Sequence, residues 1–263
     1  MFLYAADASG NVDTSKPIGT AFWVEVPLKS DPKRCYRFLV TARHMVDPAW
    51  AGCERPNPDT IYARVNKKNY KPDQKEAGVD FIRLTLTEKG KLSWEHSIDD
   101  HIDAAVLQMK SDIGTFDITG IPISLFPTSQ ELTAQSIGDP IISAGLMPGL
   151  TGTSRNLAIF KFGQISNIPQ ENVETACGPN RPWFLVKVWL VAANLVPGNS
   201  GSPMLHVPPG SNGVSFGGRP MLLGIQSISF QGADVAGMTP ISYVYDIFVG
   251  LKLNDANLDR GAK

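Results

Sequence analysis

A serine sits in the middle of Val196-Pro197-Gly198-Asn199-Ser200-Gly201-Ser202-Pro203, between the apolar run Trp183–Val191 and a second apolar segment from Met204. Two glycines, an asparagine and two prolines in eight residues force a tight, irregular turn. A bend of this kind turns successive backbone N–H groups inward beside the serine hydroxyl. Acyl transfer needs that pairing, a nucleophile with N–H donors next to it to hold the oxyanion. Taken alone, the stretch reads first as a hairpin loop between two strands.

A serine hydroxyl is a weak nucleophile without a base. Two other segments offer the missing groups. Phe38-Leu39-Val40-Thr41-Ala42-Arg43-His44 is an apolar strand ending in a histidine, and His101-Ile102-Asp103-Ala104-Ala105-Val106-Leu107 has an aspartate opening an apolar strand. Each alone has a plain structural reading, a histidine after a strand or an aspartate in a turn. Together, in the order His44, Asp103, Ser200, with separations of 59 and 97 residues, each has enough chain to lie on its own hairpin or barrel edge.

The elements that must position them are short strands. Period-two alternation marks Gly19–Pro27, Tyr36–His44, Ile61–Val65 and Ile82–Leu86, and Met1–Ala5 and Asp103–Met109 complete the first half. Residues 110–139 hold prolines and no sustained period, and read as a connector. Pro140–Leu146, Leu157–Ile165, Trp183–Ala193 and Met221–Phe230 are the strands expected in the second half. Asn167–Arg181 reads as a long polar loop. Ile241, Val244, Phe248 and Leu251 recur at helical spacing, which predicts a C-terminal helix.

Composition agrees with many strands and turns. The chain has 263 residues with 24 glycines and 20 prolines, enough for a large core in one domain or two small ones. Net charge is −1 without blocks of like charge, so nucleic acid and anionic membrane are not expected partners. His96, His101 and His206 form no metal-ligand pattern, and no metal or other cofactor is expected. Three cysteines are too few for a disulfide framework. Cys35 and Cys53 flank His44 at nine residues on each side, so a bridge between them is open, as is the free form. The N-terminus has no basic region followed by an apolar stretch. With Met1 as the natural start, a cytoplasmic protein is expected; with a signal removed, a secreted or periplasmic one.

Thr41-Ala42-Arg43-His44, Asp103-Ala104-Ala105-Val106-Leu107 and Gly198-Asn199-Ser200-Gly201-Ser202-Pro203, with Leu223-Gly224-Ile225-Gln226-Ser227, make the chain resemble the chymotrypsin/trypsin-like serine peptidases. Its likeness is nearest to their bacterial branch with the glutamyl endopeptidases and HtrA-type proteases. The resemblance runs from about Ile18 to Leu251. It implies an all-β fold of two antiparallel six-stranded β-barrels with a short C-terminal helix. Residues 1–120 would carry the histidine and aspartate, and residues 121–263 the serine and the specificity pocket.

The same resemblance implies roles. Ser200 is the nucleophile, His44 the base, and Asp103 the residue that orients His44 and stabilises its imidazolium. The N–H groups of Gly198 and Ser200 form the oxyanion hole. Ser227 hydrogen-bonds Asp103, or else bonds only to nearby backbone. Asn194, Leu195, Gln226 and Ser229 line the substrate pocket, which lacks a charge and is expected to take an uncharged, small-to-medium apolar side chain. Pro197 narrows its wall. Asn199 stands where trypsin-type zymogens carry an aspartate that pairs with a new N-terminus, so activation by N-terminal cleavage is not expected. The expected activity is peptide-bond hydrolysis on a polypeptide substrate. The alternatives are a catalytically silent binding or sensing module and an esterase-type acyl hydrolase.

Overall fold

The computed structural model describes residues 1–260 except 54, 72–77, 110–113, 148, 179, 196–197, 209, 212–213, 216–217 and 231–233. The first half forms two main sheets and the small ladder Thr87–Glu88 with Lys91–Leu92. One has β2 (Val12–Thr20), β1 (Phe2–Ala6), β5 (Thr60–Asn66) and β6 (Val79–Thr85) in that order. The other runs β9 (Ile121–Pro122), β3 (Phe22–Pro27), β4 (Cys35–Thr41), β8 (Ala105–Gln108) and β7 (Glu95–His96). Only Ala21 separates β2 from β3, so the chain passes from one sheet to the other at a single bend.

The strand period explains the layering. Ala21, Trp23 of β3 and Leu39 of β4 face Leu3, Ile61, Ala63 and Leu84 in the core between the two main sheets. Phe22, Val24, Val26, Phe38 and Val40 face the other way. Both faces of this hairpin are buried, which is why its alternation is apolar against apolar.

The second half is a closed barrel of β10 (Pro140–Leu146), β11 (Ala158–Asn167), β14 (Trp189–Ala192), β17 (Val235–Pro240), β16 (Met221–Phe230) and β15 (Pro203–His206). Ile141, Ile165, Val191, Met204, Leu223 and Met238 fill it. The outer face of the β3–β4 hairpin then packs against Leu222 and Ile225 of β16 and against α2 (Ser242–Gly250). The Phe38 and Phe248 rings lie 4.7 Å apart, centroid to centroid. The C-terminal helix therefore seals the junction between the halves, and Val244, Ile247 and Phe248 supply its buried stripe.

Three sequence expectations are corrected. The run Trp183–Ala193 is two strands, β13 (Trp183–Val186) and β14, because the Lys187 N–H is donated to His101 O across the molecule at 2.8 Å and interrupts the ladder. The expected loop 167–181 contains β12 (Val173–Ala176), paired with β13. Strand β17 was not expected. Its Gly237 lies so close to Ile228 and Val188 that no side chain fits, and the glycine hides the strand's period. In the connector, α1 (Ser129–Thr133) starts at a capping box in which Thr128 and Glu131 each bond the other's backbone N–H.

Candidate active site

His44 lies in a 3-10 turn, Arg43–Met45, just past the end of β4. Asp103 lies just before β8. The two strands pair antiparallel with Ala105 opposite Thr41. Running on from Thr41 and back from Ala105 brings His44 and Asp103 together. His44 N donates to Asp103 Oδ1 at 2.9 Å, and His44 Nδ1 lies 2.8 Å from Asp103 Oδ2. Ser227 Oγ, from β16 of the second half, also donates to Asp103 Oδ2.

Asp103 is fully buried. Burial pushes its pKa up, but the His44 charge and the hydrogen bonds from His44 and Ser227 outweigh it and hold the carboxyl below its ordinary value. A carboxylate accepts and does not donate, so Nδ1 carries the proton in this pair and Nε2 is left as the basic atom.

Ser200 is placed by its neighbours. Gly198 and Gly201, on either side of it, have φ of +95° and +88°. A β-carbon at Gly201 would collide with the Thr20 carbonyl and the Thr41 hydroxyl. Thr20 N donates to Ser200 O at 2.8 Å, and Thr20 Oγ1 donates to Gly198 O at 3.2 Å. Gly201 N donates to Gln226 O at 2.7 Å. The turn is thus tied to β2 on one side and β16 on the other. Among the described residues, the N–H groups of Gly198 and Ser200 donate to no protein acceptor. Val196 and Pro197 lie outside the described residues.

Asn199 is 2 % exposed. Its Nδ2 donates to Leu146 O at 2.7 Å, and Lys161 Nζ donates to its Oδ1 at 3.5 Å. Its neutral amide anchors the turn to the end of β10.

His44, Gly198, Ser200, Ser227 and Ser229 all border one cleft of about 1010 Å³. His44 and Ser200 are not hydrogen-bonded to each other among the described residues. Ser200 Oγ donates instead to Ser227 O at 3.3 Å.

Of the four residues expected in the substrate pocket, only Ser229 borders the cleft. Gln226 is 1 % exposed and is paired with Met238, whose side chain is part of the barrel core. Gln226 shares the face of its partner Met238, while Ser227, the extra residue where the register shifts before Ile228, turns its hydroxyl to Asp103. Leu195 packs on the barrel core, and Asn194 is exposed.

The cysteine pairing left open by the sequence is decided in the fold. Cys53 is bridged to Cys177, 124 residues away, with Cα atoms 5.4 Å apart, and Cys35 is free. Both bridged residues border the cleft, so the bond straps the loop after His44 to the β12–β13 hairpin. Arg55, from the same loop, donates to Met45 O at 2.6 Å and to His44 O at 3.0 Å. Nothing periodic or motif-like surrounds Arg55 in the sequence to single it out.

No protein-family model matches the chain. No curated protein matches it in sequence either. Solved structures do. The MamO protease domain from Magnetospirillum magneticum, in its apo form, aligns over 92% of this chain and 91% of its own, with a TM-score of 0.50 at 14% identity. The fold is chymotrypsin-like. A second structure, Rv3671c from M. tuberculosis H37Rv in a serine-to-alanine, inactive form, covers 82% of this chain and 77% of its own at 15% identity and a TM-score of 0.38. The likeness to the MamO domain is one of fold, and it does not single out the glutamyl-endopeptidase branch.

Proposed function

We propose that the chain is a serine endopeptidase acting through an acyl-enzyme. The observation that carries this reading is the buried Asp103 held by His44 Nδ1, His44 N and Ser227 Oγ, with His44 and Ser200 on the wall of one cleft. A polypeptide bound there presents a carbonyl carbon to Ser200 Oγ. His44 Nε2 takes the hydroxyl proton as the C–O bond forms. The oxyanion is held by the Gly198 and Ser200 N–H groups, whose donors are not used elsewhere among the described residues. The imidazolium, stabilised by Asp103, then protonates the leaving amine, and the C–N bond breaks. Water, activated by His44, releases the acid product and restores Ser200.

A second reading, a silent binding module, is favoured by one observation, the Ser200 hydroxyl engaged with Ser227 O rather than His44. A fluorophosphonate probe separates the two. Covalent labelling of the intact chain that vanishes in Ser200→Ala, together with cleavage of a mixed peptide library, supports the peptidase. An unlabelled intact chain supports the silent module, and labelling without peptide cleavage overturns the peptidase in favour of another acyl hydrolase.

A further inference from the structure

Among the described residues, basic side chains gather at the cleft. Lys16 and Arg55 from the first half and Arg181 from the second border it, and no aspartate or glutamate does among the described residues. The whole chain has net charge −1. Arg55 is half-buried, directly behind the backbone of His44 and Met45. Among the described residues its only hydrogen bonds are to those two carbonyls, and no carboxylate partners it. Burial pulls its pKa down to about 10, so it keeps its charge at neutral pH.

A guanidinium has five N–H donors, and two satisfy the carbonyls here. A half-buried cation without a counter-ion is costly, and an anion that enters the cleft relieves that cost. Arginine's planar fork matches a carboxylate, which takes two parallel N–H bonds. Buried Arg64 is held by three backbone carbonyls and Asn156 Oδ1, and several other cationic residues pair with carboxylates. Arg43 pairs with Asp47 and Asp100, Lys187 with Asp99, and Arg219 with Glu131. Arg55 is set apart by facing the cleft instead.

We propose that Arg55 is a specificity-determining residue that binds an aspartate or glutamate side chain of an acidic peptide substrate, with Lys16 on the same side of the cleft. This rests on the peptidase reading for its meaning as specificity, but the binding step does not need catalysis. The site lies on the His44 side of the cleft, contributed by the first half, and differs from the β16 wall that carries Ser227 and Ser229.

The test is a binding scan on the Ser200→Ala chain. The probes are N-acetylated, C-amidated octapeptides of alanine and serine in which one glutamate is walked through every position, with a parallel glutamine series. At one or two adjacent positions, glutamate is expected to bind at least ~10-fold tighter than glutamine, as a charge-assisted hydrogen-bonded pair provides. That ratio should fall to ~2-fold or less in Arg55→Gln and persist in Arg55→Lys. It should also shrink in the Ser200→Ala chain between about 50 mM and 500 mM salt, a measurement that stands even if Arg55→Gln does not fold. No position with a ratio above ~2, or a preference that Arg55→Gln leaves intact, overturns the proposal. Failure of the peptidase reading appears separately, as an intact chain that cleaves none of these peptides and takes no fluorophosphonate.

Discussion

The Ser200 hydroxyl donates to the carbonyl of Ser227 at 3.3 Å, and the hydroxyl of the same Ser227 donates to Asp103. One residue of β16 thus touches both Ser200 and the buried carboxylate of Asp103, which come from different halves of the molecule. Ser227→Ala removes the hydroxyl and keeps the carbonyl. It should lower kcat on a peptide substrate ~10–100-fold, the scale of a hydrogen bond to a charged group, with KM changed less than about threefold. Steady-state kinetics of the variant checks this, and kcat within twofold of the parent would show that Ser227 plays no part in holding Asp103.

Gly201 has two reasons to be glycine, its φ of +88° and the lack of room for a β-carbon beside Thr20 and Thr41. Gly149 has only the first, with φ of +87° and nothing within 4 Å. Gly149→Ala should cost ~1–2 kcal/mol, the ordinary penalty for a left-handed alanine. Gly201→Ala should cost at least ~1 kcal/mol more and should slow fluorophosphonate labelling of Ser200, because Thr20 also holds the Ser200 and Gly198 carbonyls. Urea unfolding of both variants is the measurement. Equal losses would mean that the turn relaxes away from Thr20 at no cost.

The Cys53–Cys177 bridge closes a 124-residue separation, and Cys35 stays outside it. Alkylation of the denatured, unreduced chain should add one group by mass, and alkylation after reduction three. Replacing both bridged cysteines by serine should lower stability by ~2–4 kcal/mol. Three alkylations without reduction, or a stability loss below ~0.5 kcal/mol, would count against the strap.

Glu131 accepts from Arg219 at 2.9 and 3.0 Å while capping α1. Arg219 and the cap, working against burial, pull its pKa from 4.5 to about 2. A depressed carboxyl pKa stabilises the fold above the unfolded value and loses that contribution as pH falls through the folded one. The stability gap between the parent chain and Glu131→Gln should therefore be constant from pH 7 to about 5 and shrink between about 4.5 and 2. Denaturant unfolding along this pH series reads it, and a gap independent of pH would contradict the pairing.

Much of the fold was legible because the responsible signals are local. Alternation in Gly19–Pro27, Tyr36–His44 and Ile61–Val65 locates β3, β4 and β5. The spacing of Val244, Phe248 and Leu251 locates α2. His44, Asp103 and Ser200 stand out because each ends or begins an apolar run or sits in a glycine-bracketed turn. These are properties of a few neighbouring residues, and no distant partner is needed to read them.

Tertiary structure alone decided the rest. Cys53 found Cys177 rather than Cys35 because the β12–β13 hairpin brings Cys177 to the loop after His44, a contact between groups 124 residues apart. Gln226 faces the barrel core, and Ser227 faces Asp103, by the register of β16 against β17. Which face of a strand is the inside depends on where the sheet closes, and the pattern in a strand buried on both sides does not record it. Arg55 became a candidate only when the folded chain placed its guanidinium against the His44 and Met45 carbonyls, at the border of the cleft. Sequence alone determined which residues could do the chemistry. The long-range pairing of strands determined which of them meet, because burial and partnership are relations between distant parts of the chain.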